Sequence, residues 1–326
     1  MYNILQKYFS SFLFIIKLLI LSGAYYVISQ RLFNENNFNG RLWTDQLDGM
    51  GSAGLAFMLL IVFFTLVNWI LEISKWKTLM EGLQKISFSE ALEQSLGSLT
   101  ASLITPNRIG EYGAKAIYYS RKQMPRVMIR NFIGNASQMS VTVIFGVLGI
   151  FTFRSYLTPQ NFLSTELLVT IAFIVVALCF LFYWILLKKD RFSWLKNIKS
   201  LFKIPMPVYQ KALTYSVLRY LVFSHQFYLL LIFFEVDIAY PLALSAIALM
   251  YFISSAIPGF VLFDWLVKGS VAVTLFGYLG VSEIVILCVT TTMWILNFAF
   301  PAMIGSVYVI RFNPRSLVPS ERKLIK

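Results

Sequence analysis

Histidine is almost missing from this chain, which has one in 326 residues, and cysteine occurs only twice. A metal centre built from imidazole and thiolate therefore has too few donors, so no metal and no cofactor is expected. Cys179 and Cys288 both lie inside apolar runs, where they read as packing residues and not as a disulfide or metal pair. There is no glycine-rich nucleotide loop and no recognisable Ser-His-Asp set. Charge is scarce as well: 13% of residues are charged against 58% hydrophobic, with mean hydropathy +0.71. That balance excludes an ordinary soluble domain and points to an all-α polytopic membrane protein.

The charge that is present leans one way, with 28 Lys and Arg against 15 Asp and Glu. The basic residues collect in short loops between apolar runs, which fits the positive-inside rule and argues against nucleic acid as a partner. A first span is expected at about 12–28, retained and not cleaved because no small-residue cleavage pattern follows it. Lys7 before it and Lys17 near its start put the N-terminus in the cytoplasm. Residues 30–52, of mixed charge, read as an outward-facing loop. The next span, about 53–73, runs into a segment with Lys75, Lys77 and Lys85, expected to be cytoplasmic. Further spans are expected at about 131–153, 167–187, 211–234 and 284–310. The basic loop beginning at Lys188 is expected to lie along anionic headgroups, and the basic tail 311–326 to be cytoplasmic. The expected location is the cytoplasmic (inner) membrane, with both termini inside.

Two stretches break this pattern. TPNRIGEYGAKAIYYSR at 105–121 and AIPGFVLFDWLVKG at 256–269 place proline, glycine and charge between apolar runs. In the first, Pro106 precedes Glu111 and Lys115; in the second, Pro258 precedes Asp264 and Lys268, each acid four residues before its base. The apolar pieces before them, 91–104 and 242–257, are short for a hydrocarbon core that takes about twenty helical residues. A break at membrane depth survives only where protein or a water-filled cavity covers it, so each stretch reads as a re-entrant hairpin. Flanking charge has the first hairpin entering from the cytoplasm and the second from outside. The result is about six full spans plus two re-entrant hairpins in a single membrane domain, 1–326, with an inverted repeat of 53–154 and 211–310. The alternative is that the short pieces are ordinary tilted spans.

An ionised side chain at a helix centre costs roughly 2.5 to 3.5 kcal/mol on insertion scales, so four in two short breaks imply a task. Spacing i, i+4 puts each acid and base on one helical face, where they neutralise one another in the empty site. Arg108, Lys115 and Lys268 suit a phosphate, with amides at the helix starts, while Glu111 and Asp264 suit a cationic group. Pro106, Gly110, Pro258, Gly259 and Gly269 mark the breaks. Arg219 and His225, with Gln226, lie on one apolar span and are further candidates, although a lone histidine there is more often a hydrogen-bonded packing residue. Tyr112, Tyr118, Tyr119 and Trp265 read as packing or interfacial residues.

The first stretch resembles the motif of the membrane region of lysylphosphatidylglycerol synthases, a flippase-like integral membrane family that also occurs without a synthase domain. By that match Arg108, Gly110, Glu111 and Lys115 take motif positions. The second signature is similar at Pro258, Gly259, Asp264, Lys268 and Gly269, and PAMIG around Pro301 also fits. Three departures stand out: Asn107 where glycine is common, lysine where arginine is common, and Asp264 where glutamate is usual in a more glycine-rich setting. The resemblance implies translocation of a phospholipid or lipid-linked headgroup between leaflets without lipid synthesis, since only residues 311–326 follow the last expected span. Membrane lipids are the expected partners, and a separate lipid-modifying enzyme a candidate one. The alternative is a membrane-embedded transferase, or an accessory subunit of one, acting on a lipid-linked sugar or aminoacyl lipid, with Glu111 or Asp264 as general base. No ATP-binding motif is visible, so transport would be downhill or ion-coupled.

Overall fold

A computed structural model describes residues 40–103, 105, 108–156, 204–257 and 264–312, together with 166, 169, 170 and 173. The expected span at 12–28, most of that at 167–187, the loop from Lys188, Pro106, Asn107, Pro258, Gly259, Cys179 and the tail beyond 312 lie outside the described residues, as does the side chain of Asp264. Among the described residues there are helices and connections but no strand. The chain is an all-α polytopic membrane protein.

Helix α1, Gly40–Met50, occupies the stretch read from sequence as a loop, which is a correction. Trp43 and Leu47 stand one turn apart on its inner face, and Asp45 and Asp48 face out, a pattern that the mixed composition hides. Trp43 packs its ring at 4.7 Å from Phe233 and 5.2 Å from Phe234, and Gln46 donates to the Phe233 carbonyl at 3.0 Å. Gly51, at φ 55, turns the chain into α2, Ser52–Met80. One stripe of α2, Leu55, Leu59, Phe63, Leu66 and Ile70, is exposed and apolar, as a lipid-facing side must be; Ile61, Thr65, Asn68, Ile73 and Trp76 are buried on the other.

A capping box opens α3, Phe88–Ser102: Ser87 N–H donates to Glu90 at 2.7 Å, and Glu90 N–H to the Ser87 hydroxyl at 3.2 Å. After a break comes α4, Ile109–Ala116, only 8 residues long. Helix α5, Met124–Phe153, starts earlier than the apolar run because Pro125 sits in its first turn. Arg126 and Arg130 therefore belong to the helix and not to a loop, and the buried Arg130 donates to the Leu79 carbonyl at the end of α2.

The second half of the described chain runs α6, Met206–Phe233; α7, Tyr240–Ala256, which ends at an extended Ile257; and α8, Asp264–Gly277. The last span is composite: α9, Glu283–Trp294, a π-helical turn at Ile295–Ala299, and α10, Phe300–Arg311. Pro301 has no N–H for the Asn297 carbonyl, which accounts for the irregular turn just before it. Among the described residues, four helices are long and apolar enough to cross a membrane: α2, α5 with its short extension to Tyr156, α6, and the composite Glu283–Arg311. The helices of both broken stretches, at 15, 8, 17 and 14 residues, are shorter.

Helix α2 lies along α6, α3 lies on α10, and α7 lies on α5. Glycine permits the last two contacts. A Cβ at Gly305 would run into the Leu96 carbonyl oxygen, and one at Gly146 into the Phe252 side chain. The Thr100 hydroxyl then reaches across to the Ala302 carbonyl at 2.7 Å.

The two ends of the bundle differ in charge. Lys211 pairs with Glu81 at 3.9 Å and Tyr118 packs on Phe312 at 4.7 Å, which gathers the end carrying Lys77, Arg121, Lys122 and Arg311. At the other end, α1 brings Asp45 and Asp48 beside the turn containing Glu235 and Asp237.

Candidate functional site

The first break is held by its own backbone and one hydroxyl. Thr105 donates from N–H and Oγ1 to the Ser102 carbonyl, at 3.1 and 3.0 Å, and accepts from Gly110 N–H at 2.9 Å. A Cβ at Gly110 would stand 2.7 Å from the Ala101 carbonyl oxygen, so only glycine lets α4 fold back this closely on α3. Arg108 precedes α4 in the left-handed region at φ 57, a conformation that costs a non-glycine residue about 1–3 kcal/mol and clusters at functional sites.

Glu111 and Lys115 meet one turn apart, Lys115 Nζ donating to Glu111 Oε1 at 2.8 Å. The same ammonium donates to Asn131 Oδ1 of α5 at 2.8 Å and lies 4.4 Å from the Trp76 ring centre. At 2% exposure, with three partners, Lys115 is a clamp between α4, α5 and α2. Its spacing suits a phosphate ligand, and here two of its donors go to Glu111 and Asn131.

A second cluster joins α2 to α6. Glu72 Oε2 lies 2.7 Å from Lys75 Nζ and 2.9 Å from the Arg219 guanidinium. Arg219 Nε donates to Asn68 Oδ1 at 2.9 Å, Asn68 Nδ2 to Asn297 Oδ1 at 2.8 Å, Asn297 Nδ2 to Gln226 Oε1 at 2.8 Å, and Gln226 Nε2 to the Thr65 hydroxyl at 2.7 Å. Each amide donates on one side and accepts on the other, so these buried dipoles run in one direction from Arg219 to Thr65, with the π turn's Asn297 in the middle between the two long spans.

Both clusters and both broken stretches face one cavity of about 720 Å³. Arg108, Glu111 and Lys115 reach it from the first, Trp265 and Lys268 from the second, and Glu72 and Arg219 from the spans. This volume lies within the roughly 300–1,000 Å³ common for ligand pockets. Among the described residues no group of three or more His, Cys, Asp or Glu comes together to hold a metal.

Other expected site residues fall elsewhere. His225 does not line the cavity; its ring nitrogens lie 2.7 Å from the Leu221 carbonyl and 2.7 Å from the Tyr240 hydroxyl. Gly269 is inside α8 and not at a break, and a Cβ there would meet only ordinary contacts at 3.8 Å. Lys75, expected in a cytoplasmic segment, is buried and paired to Glu72, another correction: α2 continues to Met80, past the end of its apolar run. Glu72, Asn68 and Asn297 were missed. Their signal was present, since Asn68 and Glu72 stand one turn apart inside an apolar span.

Helical spans enclosing a charged cavity, reached by two interrupted helical segments, define an integral membrane protein with a polar site among its helices. The chain belongs to the lysylphosphatidylglycerol synthase TM region family, whose match covers residues 14–305. As a member it is a multi-pass membrane protein linked to lipid modification or flipping. Comparison with curated proteins gives no match.

Proposed function

We propose that this protein translocates a phospholipid or lipid-linked headgroup between leaflets, using the central cavity as a transient polar site. The observation that carries the reading is the convergence of both broken stretches on that cavity: Arg108 and Glu111 from one, Lys268 from the other. A headgroup at mid-membrane needs fixed charge and dipoles in place of water, which these residues and the Asn68–Asn297 ladder supply.

Residues 53–154 and 211–310 form an inverted repeat in this reading, and alternating access between them moves the lipid. Helix pairing supports it. Exchanging the halves maps α2 on α6 onto itself, and maps α3 on α10 onto α7 on α5; α4 beside α5 corresponds to α8 beside α9. The short broken segments then act as re-entrant hairpins from opposite sides. The end with Lys77, Arg121, Lys122 and Arg311 faces the cytoplasm of the inner membrane, following the positive-inside rule.

The test is quencher accessibility of fluorescent phospholipids in liposomes holding the full-length protein, beside Arg108→Gln and Glu111→Gln at equal folded yield. Wild type is expected to expose inner-leaflet lipid and both variants to lose most of that exposure. Wild type matching empty liposomes with anionic, zwitterionic and aminoacylated lipids alike would overturn translocation and favour a transferase or a partner subunit.

A further inference from the structure

We infer that the cavity selects a headgroup made of a phosphodiester bearing a neutral, hydroxylated substituent, and disfavours one that carries an ammonium group. The inference rests on the translocation reading of the same cavity and names its substrate class. Charge is the first ground. Arg108, Lys115, Arg219 and Lys268 line the cavity against Glu72 and Glu111. Lys75 is buried directly behind Glu72, and adding the sequence's Asp264 to the acidic side still leaves the cations in excess.

Both described acids are also engaged: Glu72 by Lys75 and Arg219, Glu111 by Lys115. Arg108 differs. Its guanidinium has neither an ion pair nor a hydrogen bond among the described residues, and its planar fork of five N–H donors matches two phosphate oxygens at once. An arriving anion finds a cation without an ion pair to meet, whereas an arriving ammonium meets carboxylates whose charge is already shared with the protein's own cations.

Three further groups need a partner. The Ser95 hydroxyl, on a side chain 5% exposed, the Trp69 indole N–H and Gln138 Oε1 are buried on the cavity wall with no hydrogen-bond partner among the described residues. The indole can only donate, the amide oxygen can only accept, and the hydroxyl does both. A hydroxylated substituent both donates and accepts, so it can satisfy all three; an ammonium offers nothing to the indole. A glycerol or inositol phospholipid and an isoprenoid-linked phosphosugar share this chemistry.

The test is displacement of a fluorescent short-chain phosphatidylglycerol from the full-length protein in detergent. Competitors are dioctanoyl-phosphatidylglycerol, farnesyl phosphoglucose, dioctanoyl-phosphatidylethanolamine and dioctanoyl-lysylphosphatidylglycerol. At least one hydroxylated competitor is expected to displace the probe at a concentration tenfold or more below both amine-bearing lipids, and the better of the two names the source. Arg108→Gln is expected to weaken probe binding at least tenfold, Arg108→Lys to restore part of it, and Ser95→Ala to narrow the preference about threefold. Amine-bearing lipids competing equally or better, or a probe that does not bind, would overturn the selectivity. Transport in liposomes together with equal competition sinks this inference alone; selective binding without transport sinks the translocation reading alone.

Discussion

The two buried ion-pair clusters use similar residues for different ends. Glu111 and Lys115 pair within an eight-residue helix, too short to be stable alone, and Lys115 then fastens that helix to Asn131 and Trp76. Glu72, by contrast, holds two cations, Lys75 on its own helix and Arg219 on the neighbouring span. One cluster positions a short element beside a break, and the other cross-links two long spans. The cavity-facing charge of the first can be changed at lower structural cost than that of the second.

Removing one member of a buried pair costs about 3–5 kcal/mol when the other is left uncompensated. Glu72→Gln strands both Lys75 and Arg219, so it is expected to give the largest loss, at or above about 5 kcal/mol, read by thermal unfolding of the full-length protein in detergent. Lys115→Met strands a single charge, Glu111, which lies on the cavity wall within reach of water, so a loss nearer about 3 kcal/mol is expected. Adding Glu111→Gln should recover part of it, and a double variant no more stable than Lys115→Met would show that the clamp, not the pair, carries the effect.

The glycine contacts sharpen the same contrast between supporting and facing positions. Gly305→Ala drives a methyl group into the Leu96 backbone carbonyl, which cannot swing aside, so a cost of about 1–3 kcal/mol is expected in the same assay. Gly269→Ala meets nothing closer than 3.8 Å within a helix and is expected to be the mildest change, neutral or stabilising by up to about 1 kcal/mol. Clear destabilisation at Gly269 would mean that α8 is packed more tightly than these contacts allow.

Much of the site was legible because charge inside an apolar run is conspicuous. Arg108, Glu111, Lys115, Arg219 and Lys268 all stood out in that way, and all line the cavity. Lys75 was misjudged, and His225 kept as a candidate beside its packing reading, for one reason: adjacency to an apolar run does not tell whether a side chain turns toward lipid, water or a neighbouring helix. Lys75 turns inward to Glu72, and His225 turns to Tyr240. Helix α1 was missed because two apolar residues on one face are a weak signal until Phe233 and Phe234 supply the surface they cover.

By itself the sequence determined the solvent this chain belongs in, the family and the four long spans among the described residues. Hydropathy, proline and charge act locally, and lipid penalises every local violation. Only the tertiary structure decided which charges meet. The ladder from Glu72 through Arg219, Asn68 and Asn297 to Gln226 joins residues up to 229 positions apart, and Gly305 and Gly146 matter because of the helices that lie across them. Burial makes such partnerships strong, and partnership in turn separates a clamped Lys115 from an Arg108 without a hydrogen bond among the described residues at the cavity.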